Sequence, residues 1–103
     1  MENAINLNED VKSKIEGYVL NNRVVLFMKG TPQQPQCGFS AKTVAALDSV
    51  VPGYVSVNVL EDSDIREGIK VYGNWPTIPQ LYIDGELVGG CDIILNMLNS
   101  GEL

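Results

Sequence analysis

The chain of 103 residues contains no histidine and two cysteines, Cys37 and Cys91. Without histidine, it cannot form a cysteine–histidine nucleophilic pair, a metzincin-type zinc site or a histidine general base. A single bridge between Cys37 and Cys91 would fall short of the disulfide framework that is typical of small extracellular proteins. We therefore expect both residues to be free thiols in the cytosol, and we expect any chemistry of the chain to depend on sulfur.

Basic residues and long apolar segments are also scarce. Seven lysines and arginines stand against 13 aspartates and glutamates, and the net charge of −6 disfavours attraction to nucleic acid or to anionic membranes. The longest apolar run, residues 24–28, is far shorter than the roughly 20 residues that span a bilayer. The segment MENAINLNEDVKSK shows no basic stretch followed by an apolar one. These features predict a cytoplasmic protein that binds neither nucleic acid nor membrane.

The composition that remains is that of an ordinary globular domain. Hydrophobic residues make up 45% of the chain, enough for one modest core. The sequence shows no internal repeat, low-complexity segment or linker. We expect a single domain that spans residues 1–103.

Hydrophobic periodicity predicts helix, strand, helix, strand, helix, strand, strand and helix. In chain order, these elements cover residues 8–22, 23–29, 38–50, 54–60, 62–73, 78–83, 86–90 and 92–103. Asn8 is a candidate N-cap, as is Asp62 or Ser63, and Asp84-Gly85 is a strong hairpin signal. The order predicts an α/β fold in which a βαβ unit joins an antiparallel pair, giving a four-stranded mixed sheet with helices on both faces.

Cys37 follows the first predicted strand and directly precedes the second predicted helix, where open α/β sheets bind ligands. The unpaired N–H groups of the helix N-terminus and the cation of Lys29 both favour a thiolate over a thiol. A lone cysteine is more often a small buried apolar residue, but the polar, proline-flanked loop TPQQPQ argues against burial here. Gly38 would let another molecule approach the sulfur closely.

Three motifs carry a resemblance to a known family. They are CGFS at residues 37–40, preceded by Lys29, WPTIPQL at 75–81 and GGCD at 89–92. In this order and spacing the chain resembles the monothiol glutaredoxins. The resemblance implies the thioredoxin fold, binding of glutathione, and a [2Fe–2S] cluster held in a homodimer. It also implies BolA-type proteins and apo iron–sulfur proteins as partners.

The resemblance implies a role for each residue that matches the family's motifs. Cys37 would be the redox-active thiolate and the metal ligand. Lys29 and Arg66 would bind the glycine carboxylate of glutathione. The backbone of Ile78, before a cis Pro79, would hold the cysteine part of glutathione.

The remaining implied contacts lie around these. Cys91 and Asp92 would bind the γ-glutamyl end of glutathione. Gly38, Phe39 and Thr77 complete the implied glutathione site. The chain departs from the family at its end, since many members continue beyond SGEL into a further helical stretch. This end would correspond to a minimal or a shortened form.

Simpler interpretations stay open for several of these residues. Arg66 could be a solvated surface charge, and Asp92 could be a helix cap. Pro79 could be an ordinary proline at the start of a strand. Trp75 could belong to the core or to a partner surface.

The number of sulfur ligands separates two arrangements of the cluster. A [2Fe–2S] centre takes four thiolates, which two copies of Cys37 and two glutathiones would supply. A rival dimer would use Cys37 and Cys91 from each chain and no glutathione. We favour the first arrangement, because the second leaves Lys29, Arg66 and Asp92 without a role.

Function therefore divides into three hypotheses. We favour binding and transfer of a [2Fe–2S] cluster. The alternative is a monothiol oxidoreductase that removes glutathione from protein mixed disulfides, for which a low-pKa cysteine and a glutathione groove would suffice. The stretch TPQQP resembles the family branch with weak reductase activity, so we expect at most a weak enzyme. A pure adaptor protein would leave the thiol unused.

Overall fold

The computed structural model describes residues 7–103. Its elements, in chain order, are α1 (Glu9–Val19), β1 (Val24–Met28), α2 (Gly38–Val50), β2 (Val55–Asn58), a 3₁₀ helix (Val59–Glu61), α3 (Ser63–Tyr72), β3 (Gln80–Ile83), β4 (Glu86–Gly89) and α4 (Cys91–Ser100). The predicted order of helices and strands is confirmed. Within the described range, no helix is long and apolar enough to cross a membrane.

The four strands form one mixed sheet in the order β2-β1-β3-β4. β1 pairs with β2 in parallel and with β3 in antiparallel orientation. β3 and β4 form the predicted hairpin, with Ile83 opposite Glu86. Asp84 and Gly85 both have positive φ, 53° and 82°, as a tight two-residue hairpin turn requires.

Two hydrophobic clusters cover the two faces of the sheet, which confirms the predicted layers. Val25 and Phe27 of β1 pack in the cluster that contains the apolar residues of α1 and α3. Val24, Leu26 and Met28 pack in the cluster formed with α2 and α4. All five residues of β1 are buried because the strand is covered on both faces and paired on both edges. This explains its unbroken apolar sequence.

Side-chain caps start α1 and α3 where the sequence predicts them. The Asn8 side chain accepts a hydrogen bond from the Val11 backbone N–H at 2.9 Å. Asp62, rather than Ser63, caps α3, and its carboxylate accepts from the backbone N–H of Ile65 at 3.2 Å. The Lys14 ammonium also contacts this carboxylate at 3.0 Å, so α1 and α3 are joined where α3 begins.

Several element ends differ from the prediction: β3 begins at Gln80 and not at residue 78, and α4 ends at Ser100 and not at residue 103. Side-chain hydrogen bonds explain two further differences. α1 ends at Val19 and not at Asn22, because the side chains of Asn21 and Asn22 donate to the carbonyls of Gly17 and Tyr18 and so replace the next helical bonds. β2 ends at Asn58 and not at residue 60. The Asn58 side-chain oxygen accepts from the backbone N–H of Leu60 at 3.0 Å, which turns the chain into the 3₁₀ helix.

Candidate functional site

The loop between β1 and α2 folds back on itself and brings Cys37 to the end of β1. The Gln36 backbone N–H donates to the Lys29 carbonyl at 2.9 Å, and Gly30 and Pro35 form an isolated antiparallel bridge. Gly30 has φ +89°, and a Cβ there would lie 2.7 Å from the Gln36 backbone nitrogen. This close approach requires glycine. Cys37 itself is the extended N-cap residue of α2, with φ −155°.

The thiol of Cys37 lies in an electropositive setting. Its side chain makes no capping hydrogen bond of ordinary geometry. The backbone N–H of Ser40 nevertheless lowers the pKa of Cys37 most strongly, followed by the backbone N–H of Phe39 and the charge of Lys29, against the opposing effect of burial. A half-buried, free thiol with a lowered pKa is suited to act as a nucleophile or a metal ligand.

Ser40 is a site residue that the sequence analysis did not recognise. It is fully buried, and its Oγ accepts a hydrogen bond from the Lys29 backbone N–H at 3.1 Å. The same side chain also contributes to lowering the pKa of Cys37. Its position three residues after Cys37, where a redox loop often carries a second cysteine, was the available signal.

Beside this thiol-bearing helix start lies a groove of about 240 Å³. Its lining residues come from three segments of the chain: Phe39, Trp75, Thr77, Ile78, Pro79, Gly90, Cys91, Asp92 and Ile93. Six of the ten predicted site residues are among them. The sequence analysis had not assigned Trp75, Gly90 and Ile93 to the site.

The wall formed before β3 has an unusual backbone. The Ile78–Pro79 peptide bond is cis, as the family resemblance implied. Ile78 lies outside the helices and strands. Among the described residues, its N–H and C=O make no hydrogen bond to another backbone group. Ile78 is 6% exposed and lines the groove. Its backbone is thus available for pairing with an extended ligand.

The opposite wall is the start of α4. The helix begins at Cys91 and not at Asp92, and its N-cap is Gly90, which provides no side-chain cap. Asp92 is therefore not the cap that the sequence allowed. It is an exposed carboxylate in the first turn, while Cys91 is a buried free thiol. The uncapped N–H groups at this helix start favour an anionic ligand.

Trp75 and Gly90 fit against each other within the groove. A Cβ at Gly90 would lie 3.1 Å from Trp75 Nε1 and 3.3 Å from the Pro79 carbonyl oxygen. Trp75 Nε1 is buried and has no hydrogen-bond partner among the described residues. Trp75 thus forms part of the groove wall rather than of the two core clusters.

The other predicted residues do not line the groove. Lys29 follows β1, and Arg66 lies near the start of α3, which follows β2. Because β1 and β2 are parallel, their C-terminal ends lie at the same end of the sheet, and both residues follow these ends. Arg66 is exposed and its Nε lies 4.0 Å from Glu67 Oε2, as for a surface charge. The roles of Lys29, Arg66 and Gly38 in a site stay predictions.

Residues 7–103 contain no group of three or more His, Cys, Asp or Glu side chains that could hold a metal ion. Cys37 and Cys91 are free.

Comparison with known proteins places these features in a family. The sequence model of the glutaredoxin family matches residues 24–88. Glutaredoxin 4 of Buchnera aphidicola is 53% identical over 90 residues, which cover 87% of this chain and 83% of the relative. Mitochondrial monothiol glutaredoxin-5 of Saccharomyces cerevisiae is 49% identical over 105 residues, covering 99% of this chain and 70% of the relative. The chain belongs to the monothiol glutaredoxin family.

Solved structures agree with this assignment. The solution structure of reduced poplar apo GrxS14 is 51% identical, with a TM-score of 0.77 over 89% of this chain and 84% of that one. A buckwheat glutaredoxin–glutathione complex is 23% identical, with a TM-score of 0.80 over 92% of this chain and 84% of that one, and shows the fold alone. The protein has the thioredoxin-like glutaredoxin fold.

Proposed function

We propose that this monothiol glutaredoxin binds glutathione and a [2Fe–2S] cluster, and that it passes the cluster to acceptor proteins. One observation carries the proposal. The Cys37 thiol, whose pKa is lowered, lies at the start of α2. Phe39, two residues later, lines the groove whose walls contain the cis proline Pro79 and the N-terminus of α4. The thiol and the groove are therefore neighbours, as a shared ligand requires.

Glutathione matches the chemistry of this groove. It is an anionic tripeptide, so it needs hydrogen-bond partners for its backbone and favourable charge for its carboxylates. The Ile78 backbone is available for extended pairing, and the uncapped start of α4 offers N–H groups to the γ-glutamyl carboxylate. Asp92 would bind the γ-glutamyl ammonium, and Lys29 and Arg66 would bind the glycine carboxylate. The buckwheat glutaredoxin, which shares the fold, was solved as a glutathione complex.

The sulfur ligands of this chain fit a shared cluster. Cys37 is half-buried with a lowered pKa, whereas Cys91 is 8% exposed at the base of α4. One protomer would therefore supply one thiolate, and a [2Fe–2S] centre takes four. Two protomers and two glutathiones complete the set. The burial of Cys91 disfavours the rival dimer that uses both cysteines of each chain. A cluster bound in this way supplies iron and sulfide for transfer.

Further parts of the proposal follow from the family. We propose a homodimer when the cluster is bound, and BolA-type proteins and apo iron–sulfur proteins as partners. We also keep a cytoplasmic location and a single domain over residues 1–103 as predictions. Among the relatives, the Saccharomyces cerevisiae protein is named as mitochondrial.

The second candidate function is glutathione-dependent reduction of mixed disulfides. The lowered pKa of Cys37 favours it, because a thiolate is the attacking species in thiol–disulfide exchange. With a small glutathione mixed disulfide as substrate, we expect turnover far below that of a dithiol glutaredoxin assayed beside it. Comparable turnover would make the reductase the main function.

The visible absorption spectrum of protein purified anaerobically with glutathione tests the main proposal. We expect a [2Fe–2S] chromophore, close to one cluster per two chains, and two glutathiones released per cluster by acid. Cys37→Ser should abolish the chromophore, because a serine hydroxyl stays protonated and is a poor ligand for iron. A colourless protein, or a Cys37→Ser variant that keeps the cluster, would refute the proposal.

A further inference from the structure

Gln80, the first residue of β3, is fully buried although its side chain is a polar amide. Its Nε2 donates hydrogen bonds to the carbonyl oxygens of Trp75 at 3.0 Å and Thr77 at 3.2 Å. Its Oε1 accepts a third hydrogen bond from the Tyr82 hydroxyl at 3.0 Å. Both donor hydrogens of the amide are thus used on one loop.

That loop, residues 75–79, lies between α3 and β3 and contains no helix or strand. It contributes four of the nine lining residues of the groove: Trp75, Thr77, Ile78 and Pro79. A loop without its own regular hydrogen bonds depends on other groups for a fixed shape. The Gln80 amide supplies two such bonds from inside the protein, behind the groove wall.

Gly73 provides independent support for the importance of this amide. Its φ of −86° is open to any residue, so backbone freedom does not explain the glycine. A Cβ at residue 73 would collide with the Tyr82 hydroxyl and would lie 2.9 Å from Gln80 Oε1. The chain therefore has its smallest residue at the point where the Tyr82–Gln80 pair needs space.

We propose that Gln80 is a positioning residue for ligand binding: it holds the loop 75–79 in the shape that lets the Ile78 backbone and the Trp75 ring face the ligand. The Tyr82 hydroxyl donates to the amide oxygen of Gln80 and makes no hydrogen bond to the loop. The inference rests on the glutathione site proposed above. Gln80 does not itself line the groove, so its effect on binding would be transmitted through the loop.

Two variants separate positioning from stability. Gln80→Met keeps a flexible side chain of similar length but removes both donors to the loop. Tyr82→Phe removes one hydrogen bond of the same network and leaves both bonds to the loop. We expect both variants to unfold at lower denaturant concentration than the parent protein. Calorimetric titration with reduced glutathione should show a roughly tenfold weaker affinity for Gln80→Met and an unchanged affinity for Tyr82→Phe.

The fluorescence of Trp75, the single tryptophan of the chain, reports on the loop without any ligand. Gln80→Met should raise the quenching of Trp75 by acrylamide, and Tyr82→Phe should not. This measurement needs no ligand, so it tests the inference separately from the proposed function. If the parent protein bound no glutathione, the proposed function would fail, and quenching would decide alone whether Gln80 holds the loop.

Gly73→Ala tests the same network if Gln80→Met does not fold. The added methyl group should displace the Gln80 amide, so glutathione should bind more weakly and Trp75 should become more accessible. Gly17→Ala is the matched control, since a Cβ there meets nothing within 4 Å. The inference would be overturned if Gln80→Met or Gly73→Ala left Trp75 quenching unchanged, or if Tyr82→Phe weakened glutathione binding as much as Gln80→Met.

Discussion

The buried Ser40 hydroxyl oxygen accepts a hydrogen bond from the Lys29 backbone N–H at 3.1 Å. This bond joins the backbone at the end of β1 to the first turn of α2, so one side chain links the backbone of Lys29 to the helix start that carries Cys37. Cys37 and Lys29 are eight residues apart in the sequence, with a proline-containing loop between them. The bond explains why a hydroxyl-bearing residue suits the position three residues after Cys37.

The pKa of the Cys37 thiol should lie below that of an ordinary cysteine thiol, because the backbone N–H of Ser40, and less strongly that of Phe39 and the charge of Lys29, favour the thiolate. Its rate of alkylation by iodoacetamide, measured against pH in Cys91→Ser protein, should give this value. Ser40→Ala should raise the pKa only in part, because the strongest cause, the backbone N–H of residue 40, remains. The thiolate should also stabilise the folded protein at high pH, and this stability should be lost as the pH falls through the lowered pKa. An alkylation pKa at or above that of an unstructured cysteine peptide measured beside it would contradict this account.

Lys29→Gln should weaken glutathione binding by about 1.5–3 kcal/mol, as for loss of a charged hydrogen bond. Calorimetric titration of glutathione at two salt concentrations measures this. Added salt should reproduce part of the loss in the parent protein, because a partly exposed ion pair is screened. Lys12→Gln removes one positive charge from α1, which contributes no lining residue to the groove, and should have no effect on binding. Equal affinity in the parent and Lys29→Gln proteins would make Lys29 a surface charge only.

Gly30→Ala should destabilise the fold by about 1–3 kcal/mol, because φ is +89° and the new Cβ would press on the Gln36 backbone. The change should also slow alkylation of Cys37, since the loop that delivers Cys37 would shift. Gly17→Ala, in the interior of α1 with open space around it, should instead stabilise by about 0.5–1 kcal/mol. Urea denaturation of the parent protein and the two variants measures both changes in stability. Similar stability of the two variants would show that the loop tolerates a side chain at residue 30.

Asp62→Ala should destabilise the protein by about 0.5–2 kcal/mol, because it removes the N-cap of α3. The Lys14 contact is the largest cause of the lowered pKa of Asp62, followed by the Ile65 backbone N–H. The contribution of the carboxylate should therefore be present above its ordinary pKa and lost as the pH falls through the lowered value. Lys14→Gln, which keeps the cap, should cost little. A larger effect of Lys14→Gln than of Asp62→Ala would reverse this assignment.

Most of the fold could be predicted from the sequence, because the patterns that indicate its helices, strands and hairpin are local and strong. The sequence predicted a strand over residues 23–29, and its five consecutive apolar residues form β1, which is buried along its whole length. Asp84-Gly85 predicted the hairpin, and the two positive φ angles confirm it. The ends of α1 and β2 were wrong because side chains there bond the backbone. Hydrophobic periodicity does not reveal these hydrogen bonds. The side chains of Asn21 and Asn22 donate to backbone carbonyls, and that of Asn58 accepts from a backbone N–H.

The groove was predictable only where family motifs mark it. Those motifs pointed to Ile78, Pro79 and Cys91, which all line it. Ser40 and Gln80 were missed, because a buried polar residue contributes through its partners and the sequence does not show them. Ser40 bonds the backbone 11 residues earlier in the chain. Such contacts depend on how the strand ends and the loops meet after folding.

Cluster reconstitution on Cys91→Ser protein, with and without glutathione, tests the central claim most directly. This variant offers one thiolate per chain, so a dimer has two of the four that a [2Fe–2S] centre takes. The visible chromophore should form close to the parent level with glutathione present and should be lost without it. A cluster that forms fully without glutathione, or one that fails to form even with it, would contradict the account.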